Sequence, residues 1–375
     1  YSPAAGTGLS SHELNMPGAY KEVKDTTVVA LFKVIKNEQS SFLFDDANED
    51  VRIAAWTTTP WTLPSNTALS AGPDISYIKI KTSNPYTHTP VSVVLAEALV
   101  PNWFGGKNQS TVEGQSAAFK GSKMKGIRYE PLLDFGNEIE PLLGGTDAYL
   151  VLTGDHVTTS DGTGIVHTAP SFGADDQRVA KANGVGTLTL VDQTGKFKEN
   201  VGPYSGRYVK DYKDEPGYIA VDIDIAIQLK TEGKALNVQK YEHNYPHCWR
   251  TDKPVLYYPM DSWFIKSTAC KARMIELNKT INWKPAHTGE KRFGNWLENL
   301  QDWNLSRSRF WGIPLNIWRT EDGAEEKCIG SIALLAKEID AANAALKMTQ
   351  NVPGDLHRPF IDEIILVSSK GQPMK

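Results

Sequence analysis

Through its first two-thirds the chain breaks into short apolar runs of strand length. "TVVALFKV" (Thr27–Val34), "VRIAAW" (Val51–Trp56), "SYIKIK" (Ser76–Lys81), "AYLVL" (Ala148–Leu152), "GIVHT" (Gly164–Thr168) and "TLTLV" (Thr187–Val191) are rich in β-branched and aromatic residues. Turn-forming residues bound them, which is the signature of strands. Helical periodicity is scarcer. "VSVVLAEAL" (Val91–Leu99) suits one helix, and "ADDQRVAKANG" (Ala174–Gly184) suits another better, with acids first, Arg and Lys later, and Gly184 where a C-cap belongs. "VDIDIAIQLKTEGK" (Val221–Lys234) and "SIALLAKEIDAANAAL" (Ser331–Leu346) predict two more. Many short strands with a few interleaved helices imply an α+β fold, a β-rich, barrel-like core with peripheral helices. Strand and helix do not alternate regularly, which argues against a doubly wound sheet.

The pattern changes near Tyr241, where aromatics, Pro and Arg crowd into "YEHNYPHCWRTDKPVLYYPMDSWFI" and later "WNLSRSRFWGIPLNIW". A boundary is expected between about Asp211 and Tyr241 and a second near Trp303. This gives a core over 1–240, an aromatic-rich connecting segment over 241–302 and a return segment over 303–375. No internal repeat or low-complexity tract is present.

Composition narrows the class. With 375 residues, 40% apolar and 22% charged, the chain suits a soluble globular protein of two domains, or one large domain with appendages. No run approaches the eighteen or so apolar residues of a membrane span. The N-terminus, "YSPAAGTG", has no basic leader, apolar signal core or initiator Met, and reads as a fragment or a processed chain. Cys248, Cys270 and Cys328 are odd in number and far apart, with no CxxC pair. They suggest neither a disulfide framework nor a zinc site, and a reducing compartment such as the cytosol fits. A net charge of −4 is unlike a protein that coats nucleic acid, so any RNA contact needs a local patch. "FKGSKMKGIR" (Phe119–Arg128) and "GEKRFGNW" (Gly289–Trp296) offer one, although a solvated loop has the same composition.

Two stretches concentrate candidate chemistry. In "AAWTTTPWTLPSN" (Ala54–Asn66), Thr57 and Thr59 face one way along a strand and Thr58 the other. Pro60 cannot donate to a ladder, and Pro64, Ser65 and Asn66 favour a turn, so hydroxyls gather at a strand end before an irregular loop. That arrangement lines a pocket mouth; it equally suits an ordinary Thr-rich strand end. In "GTGIVHTAPSFGADD" (Gly162–Asp176), Gly162 and Gly164 allow a tight turn into a strand, and Pro170 and Gly173 end it. His167 then sits near the strand end and Asp176 at the start of the next helix. A His and an Asp on two rims make a site, but a core histidine and a helix-capping acid give the same pattern. GxxxxGK[ST], GxSxG, HExxH and a strand-borne GxGxxG are all missing, which removes the common nucleotide, serine-hydrolase and zinc-protease readings.

Taken together, "AAWTTTPWTLPSNTALS" and "GTGIVHTAPSFGADD", in that order, resemble the editing insertion of isoleucyl-tRNA synthetase. "YPHCWRTDKPVLYYPMDSWFI", "WNLSRSRFWGIPLNIW" and "DLHRPFIDEI" look like the segments leading from that insertion back to the catalytic domain, and "YSPAAGTGLSSHEL" is similar, more loosely, to the strand leading in. The resemblance covers nearly the whole chain and is closest to the eukaryotic cytosolic type. The valyl and leucyl relatives share the His-loop pattern but usually carry Arg and then an acid around the first proline, where this chain has Thr59 and Trp61. The His-x-Gly-His and Lys-Met-Ser-Lys-Ser signatures that handle ATP are missing, and "GSKMKG" (Gly121–Gly126) is a near miss in the wrong place. The resemblance therefore implies editing without amino-acid activation, and ATP only at a synthetic site this chain lacks.

One methylene is worth only about 1–3 kcal/mol in an apolar pocket, a limit for which isoleucyl-tRNA synthetase is itself the usual illustration, so a second, smaller pocket must remove valine. By resemblance, Asp176 binds the substrate α-ammonium. Thr57, Thr58, Thr59 and Asn66 hold the ester, the adenosine and the attacking water, and Trp56, Thr62 and His167 complete the substrate pocket. No metal or cofactor is implied for editing. The partners implied are the 3′ acceptor end of tRNA(Ile) carrying valine and the rest of the synthetase chain, in the cytoplasm and without a membrane. The alternatives are an acceptor-end binding module inactive without the synthetase core, or the editing domain of the valyl enzyme.

Overall fold

The computed structural model describes residues 1–106, 110–214, 216–306 and 315–375. The chain divides into two units, Tyr1–Asp261 and Ser262–Lys375. In the first unit the strands are β1 (Tyr20–Lys33), β2 (Val51–Thr57), β3 (Ala68–Ala71), β4 (Ser76–Ser83), β5 (Pro90–Ala96), β6 (Gly114–Gln115), β7 (Phe119–Lys120), β8 (Leu150–Thr153), β9 (Ile165–Thr168) and β10 (Ala235–Pro246). The helices are α1 (Ser11–Leu14), α2 (Val100–Trp103), α3 (Ala174–Ala182) and α4 (Val221–Thr231).

Among the described residues these strands make two sheets. One runs β10-β1-β2-β5-β4-β6 with β7 also on β4, and the other runs β8-β3-β9. The larger sheet has two free ends and does not close on itself. The expected β-rich α+β fold with peripheral helices is what the chain adopts, and its barrel-like character amounts to two sheets about one core.

Strand alternation separates the two faces of the larger sheet. Val28, Ala30 and Phe32 of β1 and Val51, Ile53 and Ala55 of β2 join Leu69, Val151 and Ile165 of the smaller sheet and Val221, Ile225 and Leu229 of α4 in the main core. Val29, Leu31 and Ala54 face the other way, into a second cluster with Ile78, Ile80, Val91, Val93 and Leu95.

Three expectations change. "VSVVLAEAL" is not a helix. Its first six residues lie in β5, between β2 and β4, with one side chain after another buried on alternate faces. A fully buried strand carries no polar alternation, so periodicity alone does not separate it from a buried helix. "TLTLV" is extended but makes only isolated bridges, Glu140 with Thr187 and Val191 with Phe197. The boundary at residue 240 falls inside β10, which pairs with β1 from Tyr20↔Pro246 to Ala30↔Ala235 and carries the unit on to Asp261. Its exposed, polar sequence hid that strand.

In the second unit, β11 (Phe264–Ile265) pairs with β12 (Trp303–Asn304), so the break expected near Trp303 is bridged. Helices α5 (Lys271–Asn278), α6 (Gly294–Glu298) and α7 (Ile332–Leu346) and strands β13 (Ile317–Arg319), β14 (Glu326–Cys328), β15 (Leu366–Val367) and β16 (Pro373–Met374) complete it. Leu335 and Ile339 of α7 pack with Trp318, Ile364, Leu366 and Met374. Ser331 caps α7, its hydroxyl accepting from Leu334 N–H at 3.1 Å. "GEKRFGNW" forms helical turns that run into α6, while residues 307–314 of "WNLSRSRFWGIPLNIW" lie outside the described residues. No helix among the described residues is long and apolar enough to cross a membrane.

Candidate functional site

The threonine-rich stretch and the His-Asp stretch meet at the smaller sheet. Strand β2 ends at Thr57, and the chain passes into a buried 3₁₀ turn, Pro60–Ser65, before β3. Pro60 opens the turn where no N–H is needed, and Pro64 stops it from extending. The prolines thus pack the turn into the core and do not bend the chain away from it. Strand β3 then pairs antiparallel with β9, placing Leu69 opposite His167. Gly164, with φ +72°, lets the backbone enter β9 where a Cβ would stand 2.4 Å from that of Ala96.

His167 is buried, and both ring nitrogens are occupied. Asn66 Nδ2 lies 2.8 Å from Nδ1, and Thr62 Oγ1 lies 3.0 Å from Nε2. The Asn66 amide nitrogen also faces the Ala68 carbonyl at 2.8 Å and the Thr168 carbonyl at 3.4 Å, which fixes it as the donor end. Nδ1 must therefore accept, Nε2 carries the proton, and the ring is neutral. The bonds run in one direction. Tyr129 donates to Asn66 Oδ1 at 2.7 Å, Asn66 donates to His167, His167 donates to Thr62, and Thr62 donates to the Thr59 carbonyl at 2.8 Å. Burial pulls the imidazole pKa down to about 3, in keeping with this tautomer.

Asp176 stands in the first turn of α3 and reaches back so that Oδ2 accepts from Ala169 N–H at 2.9 Å. Burial pushes its carboxyl up to about 6, opposed by that N–H and aided by the charge of Asp175. It is half-buried, and among the described residues Oδ1 has no hydrogen-bond partner.

The structure sorts the expected residues. Thr57 and Thr59 do face together, with hydroxyls 3.4 Å apart and Thr59 N–H donating to Thr57 Oγ1 at 3.1 Å. Thr58 is half-buried, and its hydroxyl makes no hydrogen bond among the described residues. Thr62 and His167 touch. Asn66 is placed beside them, with its amide nitrogen spent on His167 and two backbone carbonyls and its Oδ1 accepting from Tyr129. Trp56 does not join the group. One position from Thr57 on a strand, it points to the opposite face, where it packs on the second cluster and against Tyr241 edge-to-face at 5.2 Å.

Sequence reading missed the supports. Trp61 N–H donates to Asp222 Oδ1 of α4 at 2.7 Å, and the Trp61 ring meets Phe172 edge-on at 5.1 Å, locking the two stretches together. Lys210 lies 2.9 Å from Asp25 and 3.4 Å from Asp222. Burial works against the Lys210 ammonium, but Asp222, Tyr245 and Asp25 outweigh it and its pKa rises; burial also raises that of Asp222, against the pull of Lys210. The one signal that could have found Asp222 is its place among the apolar residues of "VDIDIAIQ", since a helix seldom buries an unpaired carboxylate. The basic stretch is partly spent too: Arg128 pairs with Asp147, and Lys120 donates to the Asp74 carbonyl. Lys123 and Lys125 remain exposed. No group of three or more His, Cys, Asp or Glu among the described residues is placed to hold a metal ion.

The sequence matches the family of class I tRNA synthetases (I, L, M and V) over residues 1–360. It is 51% identical to the isoleucine–tRNA ligase of Cytophaga hutchinsonii in an alignment of 410 residues, covering 100% of this chain and 36% of that protein. The isoleucine–tRNA ligase of Bacteroides fragilis is 50% identical, with 100% and 37% covered. The chain thus spans little more than a third of the length of these relatives. They are bacterial, so the expected eukaryotic cytosolic type is not supported. A solved leucyl-tRNA synthetase editing domain from P. knowlesi overlays 58% of this chain and 97% of its own, with a TM-score of 0.39 and 11% identity.

Proposed function

The chain belongs to the class I tRNA synthetases, and on that premise we propose that its first unit hydrolyses valyl-tRNA(Ile), acting as the smaller of two size filters. The observation that carries this reading is a locked, neutral His167 together with an Asp176 whose Oδ1 has no hydrogen-bond partner among the described residues. A locked imidazole is a wall of fixed shape. A carboxylate with one free oxygen is a receptor for a cation.

In this reading Asp176 takes the α-ammonium of the esterified amino acid through a charge-assisted hydrogen bond. The hydroxyls of Thr57, Thr58 and Thr59 hold the ester, the terminal ribose and a water molecule. His167 and Thr62 bound the side-chain pocket, which admits valine and rejects the extra methylene of isoleucine. Asn66 acts through His167 by fixing its tautomer and ring plane, not by touching substrate. Water oxygen adds to the ester carbonyl carbon and the acyl bond to the ribose oxygen breaks; one proton of the water ends on the ribose oxygen, the other passes to solvent, and valine leaves as its carboxylate. Neutral His167 donates its only N–H to Thr62, so the reading assigns no general base; an ester is labile enough for positioning to supply much of the rate. The partner is the 3′ end of tRNA(Ile), in the cytoplasm where tRNA is charged. Editing needs no cofactor, and ATP serves a synthetic site elsewhere in the whole protein.

The test is deacylation of valyl-tRNA(Ile) and isoleucyl-tRNA(Ile) by this chain, with Asp176→Ala alongside. Selective loss of valine that disappears in the variant is the expected result. Unchanged hydrolysis by Asp176→Ala removes the role given to that residue. No hydrolysis of either ester reduces the unit to an acceptor-end binding module.

A further inference from the structure

The face of the larger sheet turned away from His167 holds a cavity of about 210 Å³. The aromatic rings of Trp56, Trp103 and Tyr241 line it together with Asp161, Asn237 and Gln239. Asn237, Gln239 and Tyr241 alternate along β10 and so share a face, while Val29 of β1 lies between Asn237 and Trp56 in register. Trp56 and Tyr241 meet at 88°, offering a planar ligand one ring face and one ring edge.

Several polar groups around it are unspent. Trp56 Nε1 is buried with no hydrogen-bond partner among the described residues, a state that leaves a donor waiting for an acceptor. Among the described residues, the side chains of Asp161, Asn237 and Gln239 and the Tyr241 hydroxyl make no hydrogen bond either. Trp103 differs: its Nε1 donates to the Gly162 carbonyl at 2.8 Å, which holds that wall in place.

We propose that this cavity binds one unpaired nucleobase that carries an exocyclic amine. Aromatic rings stack any base, and carboxamides read the mixed donor and acceptor edge of a heterocycle. The indole N–H meets a ring nitrogen or carbonyl, and the Asp161 carboxylate accepts from an exocyclic amine, which uracil lacks. The volume is below the roughly 300–1,000 Å³ of pockets that take whole drug-sized ligands, so a single ring system enters. Among the described residues no Lys or Arg lines the cavity, and Asp161 repels phosphate, so the sugar and phosphates stay outside. Assigning the base to the RNA strand whose end enters the threonine site rests on the proposed function; the recognition chemistry does not.

The experiment is calorimetric titration of the intact chain with CMP, AMP, GMP and UMP and with the single-stranded trinucleotide CCA. It needs no mischarged tRNA, so its outcome is separate from the success or failure of the deacylation assay. CMP, AMP and GMP are expected to bind and UMP to bind about fivefold more weakly. Gln239→Leu should weaken binding of all the amine-bearing nucleotides about fivefold, and Asp161→Asn should erase the margin over UMP. The trinucleotide should bind at least tenfold more tightly than CMP; equal affinity overturns the assignment to an RNA strand in favour of a free nucleotide. The proposal falls if no nucleotide binds, or if binding ignores both cavity variants and is lost in Thr58→Val, which would put the base in the threonine site.

Discussion

His167 and Asp176 lie on one strand-loop-helix segment, and burial drives both toward the uncharged form, yet they are finished differently. The imidazole has each nitrogen answered by a side chain, and its partners are answered in turn as far as the Thr59 carbonyl. The carboxylate has one oxygen answered by the backbone, and the other has no partner among the described residues. A saturated polar group fixes shape, and a half-saturated one invites a ligand. Residue type alone would have given both the same label.

Substitutions at the two positions should therefore fail in different ways. Asp176→Asn keeps the size and the contact with Ala169 but cannot pair with an ammonium. Its kcat/KM for valyl-tRNA(Ile) should fall by about 10- to 150-fold, the value of one charge-assisted hydrogen bond at about 1.5–3 kcal/mol. A fall of less than threefold would erase the contrast between the two residues. Asn66→Leu removes the amide that orients His167 and leaves the Tyr129 hydroxyl buried without its acceptor. Denaturant unfolding should show a loss of about 1–3 kcal/mol, and isoleucyl-tRNA(Ile) should begin to be hydrolysed as the wall loosens. Wild-type discrimination in that variant would show that the ring needs no amide to hold its place. His167→Ala opens the wall directly, and the preference for valyl over isoleucyl ester should narrow by about tenfold, within the value of one methylene.

Acid titration gives the finest test. Folded His167 binds its proton only near pH 3, whereas the unfolded chain does so near 6.5, so its contribution to stability is complete above 6.5 and is lost as pH falls. Folded Asp176 holds its proton up to about 6, whereas the unfolded chain releases it near 3.8, so its contribution runs the opposite way and is lost as pH rises through 6. Between about pH 4 and 6 the two slopes, each at most about 1.4 kcal/mol per pH unit, offset one another. Against wild type, Asp176→Asn should make stability rise more steeply with pH in that window, and His167→Leu should make it fall. The kcat/KM for valyl ester should also climb as pH rises through 6, where Asp176 becomes a carboxylate.

Much of the scaffold was legible. β1, β2, β4, β8 and β9 and helices α3, α4 and α7 follow from apolar runs and end signals. β5 was not, because a strand buried on both faces carries no alternation, and β10 was not, because its polar surface carries no apolar run. For the site, the sequence grouped Thr57, Thr59, Thr62, His167 and Asp176 only through resemblance to a family; spacing alone favoured a helix-capping acid and a core histidine. Trp56 was misassigned because adjacency in sequence is opposition across a strand. Tyr129, Lys210 and Asp222 reach the site from far along the chain, and no local pattern announces such partners.

The bond from Trp61 N–H to Asp222 spans 161 residues, which has a consequence for the order of assembly. As the chain emerges from the ribosome, the threonine turn is synthesised early, but its anchor arrives only with α4. Contacts of such long sequence separation form late, since loop closure must precede them. The threonines of that turn should therefore remain mobile on the nascent chain and become protected from hydrogen exchange only after residue 222 has left the exit tunnel.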